Sequence, residues 1–262
     1  MSRGFTFDQA LAQRIEAVYK TRDAARRRRV VLDALDLRPG ERVIDIGTGP
    51  GFLAREMASL VGPAGEVLGV DTSEAMLELA RNRCAEIGWV QLRQGDASDL
   101  PVPDASFDVA VSIQVFEYVA DVSKPIAQMH RSLRPGGRAV IVSTDWHSFI
   151  WHARDTVRAN KVLSAFIEHC AIPDLPRTLG PRLKLVGFTV EDAQVIVQFN
   201  PTLAANSFSY HLIPIAKAFV SGRHGVTEAE AQAWADELYD LGERGEYFFC
   251  LNQFLFAVTK PL

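Results

Sequence analysis

A short apolar run, Val43-Ile44-Asp45-Ile46, leads into Gly47-Thr48-Gly49-Pro50-Gly51, and a helical pattern opens behind it at Phe52-Leu53-Ala54. Glycines at this spacing allow a tight turn and let a ligand approach the backbone closely. In a doubly wound sheet, the crevice at the carboxyl end of the first strand is where ligands bind. The next apolar run ends in a carboxylate, at Leu68-Gly69-Val70-Asp71. A carboxylate there can accept hydrogen bonds from both hydroxyls of a ribose, a demand shared by NAD and adenosine ligands. Gln94-Gly95-Asp96-Ala97 closes the third run, and Asp96 is placed to accept from an exocyclic adenine amine. A dinucleotide fingerprint needs Gly-x-Gly-x-x-Gly, whereas Phe52 stands at its third glycine here, so an NAD reading loses ground. Each feature alone has a plainer meaning, since glycines make turns and Asp45 or Asp71 can cap helices. With Leu133-Arg134-Pro135-Gly136-Gly137 before the fifth run, four in this order favour a bound nucleoside.

These residues need a frame, and the chain supplies a regular one. Short β-branched runs at Arg42–Ile46, Val67–Val70, Val90–Arg93, Phe107–Ser112 and Arg138–Val142 alternate with helical stretches at Gly51–Leu60, Ser73–Ile87 and Ser123–Leu133. Such alternation predicts an α/β fold with a parallel sheet covered by helices on both faces. Residues 1–40 read as N-terminal helices and 41–143 as the ligand-binding half. Beyond Val142 the rhythm breaks. Segments 144–188 and 200–245 read as helical insertions, Thr189–Phe199 as a strand, and Tyr247–Thr259 as a closing apolar strand. Nothing resembles a linker, so 1–262 is expected to form a single domain.

Composition narrows the function classes. The 262 residues carry 28 basic and 32 acidic side chains, a net charge of −4 that gives no reason to hold nucleic acid. The opening MSRGFTFDQALAQR has no apolar run behind a basic patch, and no apolar stretch is long enough for a membrane span. Cys84, Cys170 and Cys250 are scattered, which suits reduced thiols in a cytoplasmic protein better than disulfides or a metal site. Arg26-Arg27-Arg28-Arg29 circles a full helical turn and cannot form one basic face, so a solvated helix surface is expected there.

Taken together, VIDIGTGPG, GVDTSEAML, GDASDLPVPDASFDVAVS and LRPGGRAVIV resemble, in this order, the motifs of the class I S-adenosylmethionine (SAM) dependent methyltransferases. The resemblance covers roughly residues 40–145. It implies a Rossmann-like, seven-stranded, mostly parallel sheet with an antiparallel last strand, the insertions forming a cap. By position, Asp45, Gly47, Thr48, Gly49 and Gly51 would line the methionine end of SAM, and Asp71 would hold the ribose, bordered by Thr72 and Met76. Asp96 and Ala97 would bind adenine, Ile113 and Gln114 would flank the sulfonium, and Tyr19 would close over the site. Within the class, the chain is similar to the small-molecule group of quinone C-methyltransferases (UbiE-type). It departs from their Tyr-Asp-x-Met-Asn-Asp segment, reading Val18-Tyr19-Lys20-Thr21-Arg22-Asp23, and has Tyr118 where many relatives have His.

No metal is implied. The product would be S-adenosylhomocysteine (SAH), and the partner a small, largely apolar acceptor methylated at O or C, aromatic or quinone-like. Its pocket is expected from the insertions. In Thr144-Asp145-Trp146-His147-Ser148-Phe149-Ile150-Trp151-His152, a helix would place His147 and Trp151 on one face. Trp146, Trp151, Phe208 and Tyr210 are the candidate walls, with core packing as the plainer alternative. A histidine's ordinary pKa of about 6.5 suits a general base, which makes His147 the first candidate and His211 the second. His130, in the helix before the fifth strand, is the least suited. Alternatives are an arsenite methyltransferase, which needs convergent thiolates, and a SAM- or nicotinamide-binding protein without methyl transfer. The sequence leaves the oligomeric state unknown.

Overall fold

A computed structural model describes residues 8–262 of the chain; the first seven residues of the opening segment lie outside them. Two helices come first, α1 (Gln9–Tyr19) and α2 (Arg22–Leu35). Asp8 caps the first by accepting from Leu11 N, and Thr21 caps the second by accepting from Ala24 N. Then follow β1 (Arg42–Ile46), α3 (Phe52–Val61), β2 (Glu66–Asp71), α4 (Glu74–Cys84), β3 (Val90–Gln94), β4 (Phe107–Ile113), α5 (Ser123–Ser132) and β5 (Leu133–Thr144). The second half holds β6 (Ile150–Trp151), α6 (Thr156–Phe166), α7 (Pro176–Val186), β7 (Thr189–Asn200), α8 (Phe208–Val220), α9 (Glu228–Glu243) and β8 (Phe249–Thr259).

The strands form one sheet in the order β3-β2-β1-β4-β5-β8, with β7 on the far side of β8. The first five pair in parallel, and β8 runs antiparallel to both β5 and β7. That is the expected seven-stranded arrangement with its antiparallel last strand. The two-residue β6 is an addition: after β5 ends opposite Gln253, the chain turns and rejoins β8 opposite Cys250 and Phe249. The order reverses between β1 and β4, which opens a crevice at their carboxyl ends.

Apolar residues cover both faces of the central strands. One face packs Val43, Val109, Val111 and Val140 with Val31 and Leu35 of α2 and Met57 of α3. The other packs Ile44, Ile46 and Ile141 with Ile126 and Met129 of α5 and Leu179 and Leu183 of α7. A third cluster joins α6, α8 and α9 around Phe166, Trp151, Trp234 and Phe249, and reaches Val18 of α1. This is the cap.

Two expectations fail locally. Residues 144–152 do not form a helix: Asp145 accepts from His147 N, Ser148 N donates to the Asp145 carbonyl, and a single 3-10 turn at Trp146–Ser148 precedes β6. The arginine run is not a solvated surface throughout. Arg27 and Arg28 are buried, on the same stripe of α2 as Ala24, Val31 and Leu35.

Candidate functional site

The glycine turn is pinned to the end of β2. Gly47 N and Thr48 N both donate to the Val70 carbonyl, at 2.7 and 3.0 Å, and Gly49 N donates to Asp71 Oδ2 at 2.8 Å. Only glycine fits the first position, where φ is +76° and a Cβ would lie 2.1 Å from Val115 Cγ2. Asp71 also accepts from Ser73 N, through Oδ1 at 2.9 Å. An ionised carboxylate has about four lone-pair sites, so each oxygen keeps capacity for a further donor. Burial raises the Asp71 pKa, and the backbone N–H groups around it pull the other way.

Beside the turn, between the carboxyl ends of the strands and the cap, lies a cavity of about 340 Å³. Of the residues expected to bind cofactor, Tyr19, Gly47, Gly49, Asp71, Thr72, Met76, Asp96, Ala97, Ile113 and Gln114 line it. The other three stand behind the wall. Asp45 accepts from Thr48 Oγ1 at 2.8 Å, and Gly51 packs against α4, where a Cβ would meet Ala80 Cβ at 2.8 Å. Burial, helped by the Asp71 charge, pushes the Asp45 carboxyl up to about 7. Their part is to shape the turn, not to face a ligand.

Tyr19 closes the turn from α1. Its hydroxyl would lie 3.7 Å from a Cβ on Gly49, its ring stacks on Phe52 at 6.2 Å, and the Arg27 guanidinium lies 5.6 Å from its centroid. Asp96 accepts from Ser98 N at 2.7 Å. Gln114, at the exit of β4, has φ of +54°, a region a non-glycine residue rarely adopts. Its side chain donates to Thr144 Oγ1 at 2.8 Å and accepts from Arg27 Nη1.

The cap side of the cavity is apolar. Ile15 and Val18 of α1, Trp146, Phe166, and Phe208, Leu212 and Ile215 of α8 line it, with Tyr118 and His169 as the polar side chains among them. His169 Nδ1 lies 2.6 Å from the Phe166 carbonyl, which fixes the proton on that nitrogen, and Nε2 lies 3.3 Å from Cys170 Sγ. Burial pushes the His169 pKa down to about 4. Glu117 lies fully buried beneath, accepting from Ser143 Oγ at 3.1 Å and Thr144 N at 3.3 Å; burial pushes its carboxyl up to about 7.

Trp146 and Phe208 therefore reach the cavity as expected, and four other candidates do not. His147 is exposed on the 3-10 turn, which Asp145 caps and which ends at Phe149, where the backbone becomes extended and pairs with β8 instead of continuing as a helix. Trp151 belongs to the cap core, edge-on to Trp234 at 5.1 Å, with Nε1 donating to Tyr247 Oη at 3.0 Å. Tyr210 and His211 of α8 do not line the cavity; Tyr210 packs on Tyr239 and edge-on to His211. Sequence reasoning missed His169, Phe166 and Arg27. Phe166 ends α6 and His169 closes the 3-10 turn that follows it, with the two rings stacked at 4.4 Å. Arg27 lies one turn back along the Val31–Leu35 stripe. Among the described residues no group of three or more His, Cys, Asp or Glu side chains could hold a metal ion. No helix among them is long and apolar enough to cross a membrane.

Comparison with known proteins agrees with this geometry. A family model described as a methyltransferase domain matches residues 37–200. The ubiquinone/menaquinone biosynthesis C-methyltransferase UbiE of Ectopseudomonas mendocina is 39% identical over 118 residues, 44% of this chain and 46% of the relative. The chain thus spans about half the length of that relative. The demethylmenaquinone methyltransferase of Symbiobacterium thermophilum is 30% identical over 186 residues, 61% of this chain and 73% of the relative. In fold, the structure titled as a putative methyltransferase from Bacillus halodurans superposes with a TM-score of 0.62 at 18% identity, covering 90% of this chain and 99% of that one. With the glycine turn, the Asp71 and Asp96 positions and the strand order of the class all in place, the chain belongs to the class I SAM-dependent methyltransferase family and resembles its UbiE-type members.

Proposed function

We propose that the protein transfers the methyl group of SAM to an oxygen or carbon of a small, largely apolar acceptor, aromatic or quinone-like. The observation that carries this reading is the continuity of the cavity, from the Asp71 and Asp96 carboxylates to an aromatic chamber under the cap. The residues fit the cofactor. Asp71 keeps lone pairs for two ribose hydroxyls, Asp96 and Ala97 stand where adenine would lie, and Gly47 and Gly49 open the space for the methionine end. SAM supplies a methyl group already activated on a sulfonium, so the protein has chiefly to align the reactants and exclude water. Tyr19 and the walls from α1 and α8 do the excluding.

An acceptor that must lose a proton needs a base within reach. His169 takes that role in place of His147 and His211. It lines the chamber and is neutral near pH 7, with its protonated Nδ1 committed to the Phe166 carbonyl, so Nε2, which faces the Cys170 thiol, is the nitrogen that would take the proton. The names of the quinone-methylating relatives support a quinone-like acceptor. Arsenite is disfavoured by the thiols, since Cys84 Sγ points at the Gly51 carbonyl while Cys170 sits beside His169.

Calorimetric titration with SAH tests the cofactor assignment. Binding should be measurable, and Asp71→Ala should weaken it by about 1.5–3 kcal/mol, the typical worth of hydrogen bonds to a charged group. Unchanged affinity in that variant, or heat with NADH and none with SAH, would overturn it. Transfer of labelled methyl from SAM to naphthols and hydroquinones tests the acceptor class.

A further inference from the structure

The methyl-transfer reading leaves one buried cation unused. Arg27 is 1% exposed, and its Nε has no hydrogen-bond partner. No carboxylate pairs with it among the described residues; Glu117, a buried acid whose charge reaches it, is bonded instead to Ser143 and Thr144. What Arg27 does hold is Gln114, by donating from Nη1 to Oε1. A guanidinium has donors only, so the Gln114 atom facing it must be the carbonyl oxygen. That contact fixes the whole amide. Nε2 lies on the opposite side and donates to Thr144 Oγ1 at 2.8 Å, and Thr144 is itself held by Gln253 Nε2 at 3.1 Å. Gln253 Oε1 is anchored by Gln198 Nε2 at 2.8 Å. The network is oriented from end to end.

An amide nitrogen carries two N–H groups, and Thr144 takes one. The other has no partner among the described residues, and Gln114 lines the cavity where the cofactor side meets the cap side. We propose that Arg27 is a positioning residue that turns this N–H toward the acceptor, and that the acceptor presents an oxygen to it, as a phenol, enol or hydroquinone does. This rests on the methyltransferase reading and names the substrate class within it. The side chains on the cap side include no carboxylate, and the guanidinium behind Gln114 disfavours a cationic amine. An oxygen that gains negative charge on losing its proton finds both a donor and a favourable field.

The probe is 4-nitrophenol, titrated into SAH-saturated protein at a pH where the free probe is ionised and followed by its absorption band. It should bind, with the band moved to shorter wavelength by a hydrogen bond donated to the phenolate oxygen. Gln114→Glu keeps an oxygen for Arg27 but has no N–H, and should lower probe affinity by about tenfold or more and abolish the band shift. Arg27→Met, with SAH again held at saturation, should do the same, and Arg27→Lys should restore part of the shift. A probe that does not bind, a Gln114→Glu complex with the wild-type band, or equal binding of 4-nitrobenzylamine would each overturn the proposal. Failure of SAH itself to bind would instead bring down the cofactor assignment, and this inference with it.

Discussion

At the scale of single residues, the acids of this protein divide by what holds them. Asp71 meets two backbone N–H groups and opens on the cavity, whereas Glu117 is enclosed beneath it and is satisfied by one hydroxyl and one N–H. Burial raises the Glu117 pKa from 4.5 to about 7, so the folded state prefers the protonated form. A raised carboxylate pKa means that the folded state binds more protons than the unfolded state. Stability associated with Glu117 must therefore fall as pH rises from about 4.5 to 7 and then level off. Glu117→Gln removes that dependence. Its stability relative to wild type should rise by about 2 kcal/mol between pH 5.5 and 8.5, read from urea denaturation at both pH values. A difference independent of pH would mean that Glu117 is ionised in the folded protein. His169 acts in the opposite direction below about pH 6.5, but both proteins carry it, so its contribution cancels in the difference between variant and wild type.

At the scale of elements, α8 depends on residues far away in the chain. The N–H of Phe208 donates to Asp23 Oδ2 of α2 at 2.8 Å, that of Ser209 to Asn200 Oδ1 of β7 at 3.1 Å, and that of Tyr210 to Ser207 Oγ. Asp23 also accepts from Asn200 Nδ2 at 2.9 Å, so one buried carboxylate joins α2, β7 and the helix that carries Phe208, Leu212 and Ile215. Asp23→Ala would strand two buried donors and should lower stability by about 1–3 kcal/mol in urea or thermal denaturation; an unchanged midpoint would show that water replaces the carboxylate. The elements themselves were largely legible. β1, β2 and β4 are short, mainly apolar runs, and a parallel sheet buried on both faces demands that pattern; β3 at the sheet edge and the twelve-residue β5 depart from it. The segment after β5 was not legible, because aromatic spacing over 146–151 looks helical while Ile150 and Trp151 pair with β8 residues about 100 positions away. Arg27 was misread for a different reason. Charge argued for exposure, and the partners that make burial tolerable, Gln114 and Gln253, stand 87 and 226 residues away. The side of the cavity with the glycine turn, Asp71 and Asp96 follows local motifs; the cap side depends on such distant partners.

At the scale of the molecule, the cavity is closed by chain segments that precede and follow the motif region, and α1 is the one that precedes it. It places Ile15, Val18 and Tyr19 on the cavity, is tied to α4 by Arg83 donating to Glu16 at 2.5 Å, and rests on α8 through the cap cluster. None of these ties is covalent or central to the sheet, so α1 is expected to open locally more often than the strands beneath it. If Tyr19 and its neighbours complete the cofactor site, ligand must stabilise the closed helix. At 100 times its dissociation constant, SAH would add about 2.7 kcal/mol to any opening that breaks the site. Hydrogen exchange should then slow by up to about 100-fold at the amides of 15–19. Amides of α9, which does not line the cavity, should change little where they exchange by local opening. Equal slowing in both helices would mean that SAH stabilises the fold as one unit. No slowing in α1 would mean that the site is complete without it, and Tyr19 would then be a packing residue of the N-terminal helices.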